Sequence, residues 1–285
     1  MNLLILAATG NVGGQIITQL RQTGHAVRAV TRDPRAARFP AGVEVLRGDL
    51  AEPDTIAACL AGIDAVFLLW PLHTGKQLPA VLEVVARQAR RVVFLGTGGV
   101  PDLGFEEQER LVHGCGIEST MIRPSTFAVN TLWWADQIRA GDIVEGAYGA
   151  LPMSLIHEAD MAAVAVRALT EPGHDGATYT LTGPEVLTQA DQVRVIGEAL
   201  GRPLRWRELT REQARRRLLA DETFPDSFVD VLLDGYAAML AGPPPTLTST
   251  VQDVTGAPAR SLRRWATDHA ADFVGEAVGS GQPPH

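Results

Sequence analysis

Leu3-Leu4-Ile5-Leu6-Ala7-Ala8-Thr9-Gly10-Asn11-Val12-Gly13-Gly14-Gln15-Ile16-Ile17 opens the chain and decides how the rest of it is read. The apolar run Leu3 to Ala7 predicts a buried strand, and the apolar residues between Asn11 and Thr23 recur at helical spacing. A glycine-rich turn between strand and helix suits the pyrophosphate of a dinucleotide. Glycine lets the main chain come close to it, and the free amides and dipole of the helix N-terminus receive its negative charge. Thr9, Gly10, Asn11, Val12 and Gly13 are therefore the candidate phosphate-binding residues, with Gly13 and Gly14 expected to permit close packing of the helix.

Outward from this stretch the same rhythm repeats. Strands are predicted at Ala26 to Thr31, Val43 to Leu46, Ala65 to Leu69, Arg91 to Gly96 and Ser119 to Ile122, with helices between most of them. Their near-continuous apolarity fits strands buried on both faces of a parallel sheet. The implied fold class is α/β, a Rossmann-type doubly wound parallel sheet with a smaller, mostly helical C-terminal substrate-binding region. Beyond about Pro124 helical patterns at Ala128 to Ala140, Glu158 to Thr170, Gln189 to Leu200 and Arg211 to Ala220 alternate with short extended segments. The expected organisation is a dinucleotide-binding domain over 1–150, a substrate-binding region over 151–275 interleaved with it, and a flexible tail over 276–285.

Composition narrows the function classes. A chain of 285 residues, 46% hydrophobic and 20% charged, can bury a full core. The 33 acidic against 25 basic residues give a field that repels nucleic-acid backbones. No apolar run is long enough to span a membrane and no leader pattern precedes the first strand, which predicts a cytoplasmic location. Cys59 and Cys115 lie in apolar helical patterns and read as buried thiols, and the seven histidines show no metal-ligand spacing. Arg215-Arg216-Arg217 reads as a solvated helix face. A small-molecule substrate is the expected partner, and homo-oligomerisation is compatible with the composition.

The cofactor is read at the end of the second strand, Thr31-Arg32-Asp33-Pro34, with Arg28, Arg35 and Arg38 nearby. An arginine there can hold a 2′-phosphate, which favours NADPH over NADH. In the competing reading Arg32 is solvated and Asp33 takes the ribose.

Several motifs in order resemble the NmrA-like and NAD(P)H-quinone-oxidoreductase-like group of atypical short-chain dehydrogenases. These are Thr9 to Gly13, the Arg32 region, Gly48-Asp49-Leu50, Ile122-Arg123-Pro124-Ser125-Thr126-Phe127, His157-Glu158-Ala159-Asp160-Met161-Ala162, Tyr179 to Pro184, and Val254-Thr255-Gly256 before Trp265. The resemblance covers roughly residues 2 to 273. It implies a substrate cleft between the two regions, Asp49 near the adenine, Leu68, Leu69, Trp70, Pro71, Thr97 and Gly98 along the cofactor, and Pro124, Ser125 and Phe127 at the nicotinamide. Asp49 also reads as a helix cap.

Two departures from that family bear on chemistry. Ala7 stands where the first glycine of the turn is usual. The Tyr-x-x-x-Lys pair of the classical enzymes is absent: Tyr148, Tyr179 and Tyr236 come too late, and the only lysine, Lys76, precedes the fifth strand. Phe105 takes the place where many relatives carry a histidine, and Glu109 matches a glutamate common among them. His113, His157 and Tyr148 remain as weak candidates for proton transfer, though a histidine beside an apolar helix is more often structural. Hydride transfer to a conjugated acceptor needs little beyond proximity, with water able to supply the proton. Phe127, Trp133, Trp134 and Tyr148 could form a platform for an aromatic or quinonoid ring, or belong to the core. The expectation is an NAD(P)H-dependent reductase, with a non-catalytic cofactor-binding redox sensor acting through a protein partner as the alternative.

Overall fold

A computed structural model of the chain describes residues 1–96, 98, 100, 102–221 and 225–275. Thr97 and the expected tail 276–285 lie outside the described residues. The first half runs β1 (Asn2–Ile5), α1 (Asn11–Arg21), β2 (Ala26–Thr31), β3 (Val43–Arg47), α2 (Pro53–Ala57), β4 (Ala65–Leu69), α3 (Leu78–Ala86), β5 (Arg91–Leu95), α4 (Phe105–His113) and β6 (Glu118–Pro124). A 3-10 helix (Ala128–Trp134), α5 (Ala135–Ala140), β7 (Ile143–Gly146), β8 (Pro152–Met153), α6 (Glu158–Thr170), β9 (Ala177–Leu181) and β10 (Leu187–Thr188) follow. The chain continues through α7 (Gln189–Leu200), β11 (Arg205–Glu208), α8 (Arg211–Leu219), α9 (Asp226–Ala241), α10 (Thr250–Thr255), α11 (Leu262–Asp268) and α12 (Ala270–Val274).

Seven parallel strands form one sheet in the order β3-β2-β1-β4-β5-β6-β9, a doubly wound Rossmann-type arrangement. Alternate side chains explain why its central strands β1, β4 and β5 are almost wholly apolar. Leu3 and Ile5 of β1 and Ala65, Phe67 and Leu69 of β4 enter one core, beneath α1 and α6. Leu4, Val66 and Leu68 enter the opposite core with α2, α3 and α4. With both faces covered, neither set can be polar.

The sheet takes β9 from beyond residue 150, in register with β6 from Thr120↔Ala177 to Pro124↔Leu181, and α6 packs against α1. A third core gathers Val144, Leu155, Ile196, Trp265 and Phe273, drawn from both sides of residue 150. Two small pairings brace this region, β7 with β11 in parallel and β8 with β10 in antiparallel. The helical pattern at Ala128 to Ala140 resolves into a 3-10 helix followed by α5. The Thr131 hydroxyl donates to the Ala128 carbonyl, an i to i−3 bond that matches three-residue winding.

Candidate active site at the carboxyl edge of the sheet

Because every strand of the large sheet runs the same way, the ends of β1 to β6 meet along one edge. Between β1 and β4 the chain order reverses, so the crossovers diverge and leave a crevice. The glycine turn stands at this point. Gly10 N–H donates to the Ala7 carbonyl at 3.1 Å, and Gly10 begins α1 in an extended conformation with no side-chain cap. The first amides of α1 consequently have no intrahelical acceptor and can receive an anion. Gly13 is required by packing: a Cβ there would sit 2.5 Å from the Ala7 oxygen and 2.9 Å from the Ala8 Cα. Gly14 does not share that role, since a Cβ on it would meet nothing within 4 Å. Ala7 adopts φ +55°, in the left-handed region, so the residue replacing the usual glycine carries backbone strain. Thr9 and Asn11 are exposed beside the turn, and Val12 is buried beneath it.

At the ends of β2 and β3, Arg32 is exposed and makes no ion pair among the described residues. Asp33 is committed locally: its Oδ1 accepts from the main-chain N–H groups of Arg35 and Ala36. Arg38 folds back on the carbonyls of Arg35 and Ala37, and Arg28 is held by Glu44 and the Cys59 carbonyl toward the other end of β2. Arg47, passed over in the sequence, pairs in register with Thr31 and adds a second cation that makes no ion pair among the described residues. Its only signal was its place as the last residue of an apolar strand. Asp49 uses Oδ1 to accept from the Ala51 N–H, a turn bond rather than a cap on α2, whose N-cap is Glu52.

Leu68 and Trp70 offer no side chain to this edge. Both point into the core beneath α3 and α4, and the Trp70 indole donates to the Thr74 carbonyl at 2.9 Å. Leu69 enters the opposite core, so all three present main chain only. Gly98 has φ +109°, and its carbonyl accepts from the buried Gln108 side chain, which also reaches the Leu103 carbonyl. Gln108 thereby ties down the loop after β5. A glutamine on the apolar face of α4 was the available signal.

After β6, Ser125 donates its main-chain N–H to Leu181 and its hydroxyl to the Ser154 carbonyl, while Phe127 pairs with Ile156. Pro124, Ser125 and Phe127 are half-buried. Phe127 packs against both the core under α1 and the third core, so it joins the sheet edge to the C-terminal region. Trp133 and Trp134 line a cleft with Gly146, Trp206, Leu233 and Tyr236. Trp134 meets Trp206 edge-on at 5.7 Å, and burial pushes the Tyr236 phenol up to about 12. Phe127 and Tyr148 do not line that cleft. Tyr148 holds φ +64°, its amide clamped by Glu208 Oε1 at 2.7 Å and its hydroxyl 3.5 Å from Arg211.

The histidine candidates lie elsewhere. His113 binds the Ser119 and Thr178 hydroxyls at 3.0 and 3.1 Å, near the start of β6. Four residues of strand place that point about 13 Å from the carboxyl edge, too far for proton transfer to a molecule there. Glu109 on the same helix pairs with Arg123 and accepts from Thr178, so it is neither exposed nor a cap. His157 caps α6, accepting from Ala159 N–H through Nδ1, and its Nε2 is sealed from solvent. It lies beside a buried clamp. Glu158 accepts from the Trp265 indole at 3.0 Å and sits 2.6 Å from His269, whose other ring nitrogen meets Asp272. Burial works to raise the Glu158 carboxyl, but hydrogen bonds from the neighbouring histidines outweigh it and hold the group well below the usual range. Of the two, His269 is the effective donor, because His157 Nδ1 is already an acceptor. Burial lowers the His269 imidazole, and the two carboxylates more than reverse this and raise it.

A sequence profile of a family described as NAD(P)H-binding matches residues 7–172. The (4-alkanoyl-5-oxo-2,5-dihydrofuran-3-yl)methyl phosphate reductase of Streptomyces griseus subsp. griseus is 35% identical, over 96% of this chain and 100% of that one. The NAD(P)H azoreductase of Xenophilus azovorans is 34% identical, over 95% and 99%. Among solved structures, the Citrobacter sp. triphenylmethane reductase complexed with NADP(H) superposes with a TM-score of 0.80 at 20% identity, covering 94% of this chain and 99% of that one, which shows a shared fold.

Proposed function

This chain belongs to the NAD(P)H-binding family, and from that premise we propose that it is a reductase that uses NADPH to reduce a small, flat, conjugated acceptor. The observation that carries this reading is the uncapped N-terminus of α1 at the switch point of the sheet, with an unpaired guanidinium on the neighbouring strand end. The residues fit the cofactor. Gly10, Asn11, Val12 and Gly13 offer main-chain amides to a pyrophosphate, with Thr9 beside them. Arg32 is free to bind a 2′-phosphate and Arg47 to reinforce it, while Asp33, spent on its own turn, is poorly placed to compete for the ribose. The main chain at Leu69, Trp70 and Gly98, and Pro124, Ser125 and Phe127 after β6, would flank the nicotinamide half. Thr97 belongs to this set by its sequence position.

A bound dihydronicotinamide would supply hydride. The chain's part is to hold the acceptor flat, exclude water from its face and leave its heteroatom open to a proton. Trp133 and Trp134, which line the cleft with Trp206, suit a planar ring, with Phe127 at the sheet edge beside the same core. None of the three tyrosines is free at the edge: Tyr148 meets Arg211, the Tyr179 hydroxyl lies 2.7 Å from His174 Nδ1, and Tyr236 lines the tryptophan cleft. Solvent therefore delivers the proton, as the missing Tyr-x-x-x-Lys pair requires. The acceptors named for the two relatives, an oxo-dihydrofuran and an azo compound, share conjugation rather than shape, which supports an acceptor of that electronic class.

Fluorescence titration with NADPH and NADH, followed by dihydronicotinamide absorbance on adding 1,4-naphthoquinone or an azo dye, tests the reading. Tighter binding of NADPH and its consumption are expected. Absence of binding by either cofactor overturns it.

A further inference from the structure

Just beyond β7, Tyr148 holds φ +64°, a left-handed conformation that a bulky side chain rarely adopts. Such strain persists only where the surroundings enforce it, and it clusters at parts of a protein that have a task. Here its result is visible. The turn sets the main-chain N–H groups of Tyr148 and Gly149 on one carboxylate, donating to Glu208 Oε1 at 2.7 Å and to Glu208 Oε2 at 2.9 Å. Successive amides aimed at one anion form a nest that favours its full negative charge.

Glu208 passes this fixity on. Its Oε2 also accepts from the Trp206 indole at 2.6 Å. The two residues stand two apart on β11, hence on one face of the strand, and β11 is registered on β7 from Arg205↔Ile143 to Glu208↔Gly146. The indole occupies a slot that only glycines leave open. A Cβ on Gly146 would come within 2.4 Å of Trp206 Cη2, and one on Gly149 within 2.2 Å of Trp206 Nε1. Trp134 meets the same ring edge-on at 5.7 Å, and both tryptophans line the cleft. Glu208 itself is exposed, so these three hydrogen bonds do not serve to satisfy a buried carboxylate. What they fix is the angle of one wall of the cleft.

We propose that Glu208 is a positioning residue, which holds the Trp206 indole as a rigid wall so that the cleft admits flat rings and rejects thick ones. This rests on the reductase reading above and names what selects among acceptors. An aromatic side chain already immobilised in the free protein costs no further ordering when a ligand arrives. A fixed wall also cannot draw back for a substituent that stands out of the ring plane.

The test compares 1,4-naphthoquinone, which is flat, with 2,6-di-tert-butyl-1,4-benzoquinone, whose methyl groups stand above and below the ring. Affinities for both are measured on the NADP+-loaded protein, together with NADPH affinity and the near-ultraviolet circular dichroism of the tryptophans. The proteins are wild type, Glu208→Ala, Glu208→Gln and Gly149→Ala. Wild type should prefer the flat quinone by at least about tenfold. Glu208→Ala removes the anchor, and Gly149→Ala wedges a methyl group between anchor and indole. Each should lower that preference by at least about fivefold, weaken the tryptophan dichroism and bind NADPH within about twofold of wild type. Glu208→Gln keeps one accepting oxygen and should fall between wild type and Glu208→Ala. An unchanged preference in Glu208→Ala overturns the assignment, as does unchanged dichroism, because the wall would then stand without its anchor. Equal losses of NADPH and quinone affinity would mark a general disturbance and overturn it too, and so would failure of the wild type to bind the flat quinone. If the quinones bind and NADPH is not oxidised, the reductase reading falls alone, and the variants still decide the role of Glu208.

Discussion

The turn after β1 and the cleft beside β7 differ in what they are made of. The turn presents main-chain amides at a helix terminus, and side chains matter there chiefly by being absent, as at Gly13. In the cleft, Trp133, Trp134, Trp206 and Tyr236 converge from the 3-10 helix, β11 and α9, and their side chains form the walls, with the Trp206 indole donating to Glu208 at 2.6 Å. A main-chain site is inherited whole with its fold and tolerates few changes. A side-chain site can be rebuilt residue by residue, which fits relatives that share the cofactor family yet act on an oxo-dihydrofuran and on an azo compound.

The two regions are joined by Glu158 of α6, which meets Trp265 and His269 of the last helical segment. Glu158→Ala should cost about 1–3 kcal/mol in urea unfolding, since it leaves the buried Trp265 indole N–H without its acceptor and takes one of two carboxylates from the half-buried His269. The pH dependence follows from the directions of both shifts. Glu158, held low, stabilises the fold above about pH 4.3 and loses this as pH falls toward its folded value. His269, held high, contributes fully below about pH 6.5 and loses its contribution as pH rises through its folded value. The melting temperature should therefore decline on the alkaline side, and Glu158→Gln should flatten that decline. An unaltered alkaline slope in the variant would remove the clamp from the account.

Gly13→Val attacks the main-chain site alone. NADPH affinity should fall by at least about a hundredfold, because the added carbons occupy the space of the Ala7 carbonyl. Retention of affinity within threefold would mean that the turn is not where the pyrophosphate binds. Arg32→Ala is a side-chain change at the same edge and should separate the cofactors, weakening NADPH by about 10–30-fold and NADH by less than threefold. Equal losses would return the ribose to Asp33. The smallest effect is expected from Ala7→Gly, which relieves a left-handed alanine and should stabilise the fold by about 0.5–1 kcal/mol after the entropy of glycine is subtracted.

Legibility in the sequence followed the same division. Strands β1, β4 and β5 were readable because they are buried on both faces and so almost wholly apolar, and β2, β3 and β6 because aliphatic residues cluster in each short run. Of the elements that escaped, three show the opposite reason. β9 lies at the sheet edge with Thr180 exposed, and β11, Arg205-Trp206-Arg207-Glu208, alternates nothing apolar. α9 buries only Val229 and Leu233. The glycine turn and Arg32 were visible as residue types at fixed places after strands. Leu68 and Trp70 were expected along the cofactor by position, and strand alternation turns both side chains into the core.

By itself the sequence determined the parallel α/β sheet, the glycine-rich turn that opens α1 and the lack of a classical proton-donating pair, because each depends on local composition: apolar runs, glycines at set spacing, and residues that are not there. Tertiary structure alone decided which charged and polar groups are free to act. Asp33 is spent on its own turn, Arg28 on Glu44, His113 on two hydroxyls and His157 on a helix end, while Arg32 makes no ion pair among the described residues. Availability is a property of neighbours brought together from distant parts of the chain, and no reading of residue order contains it.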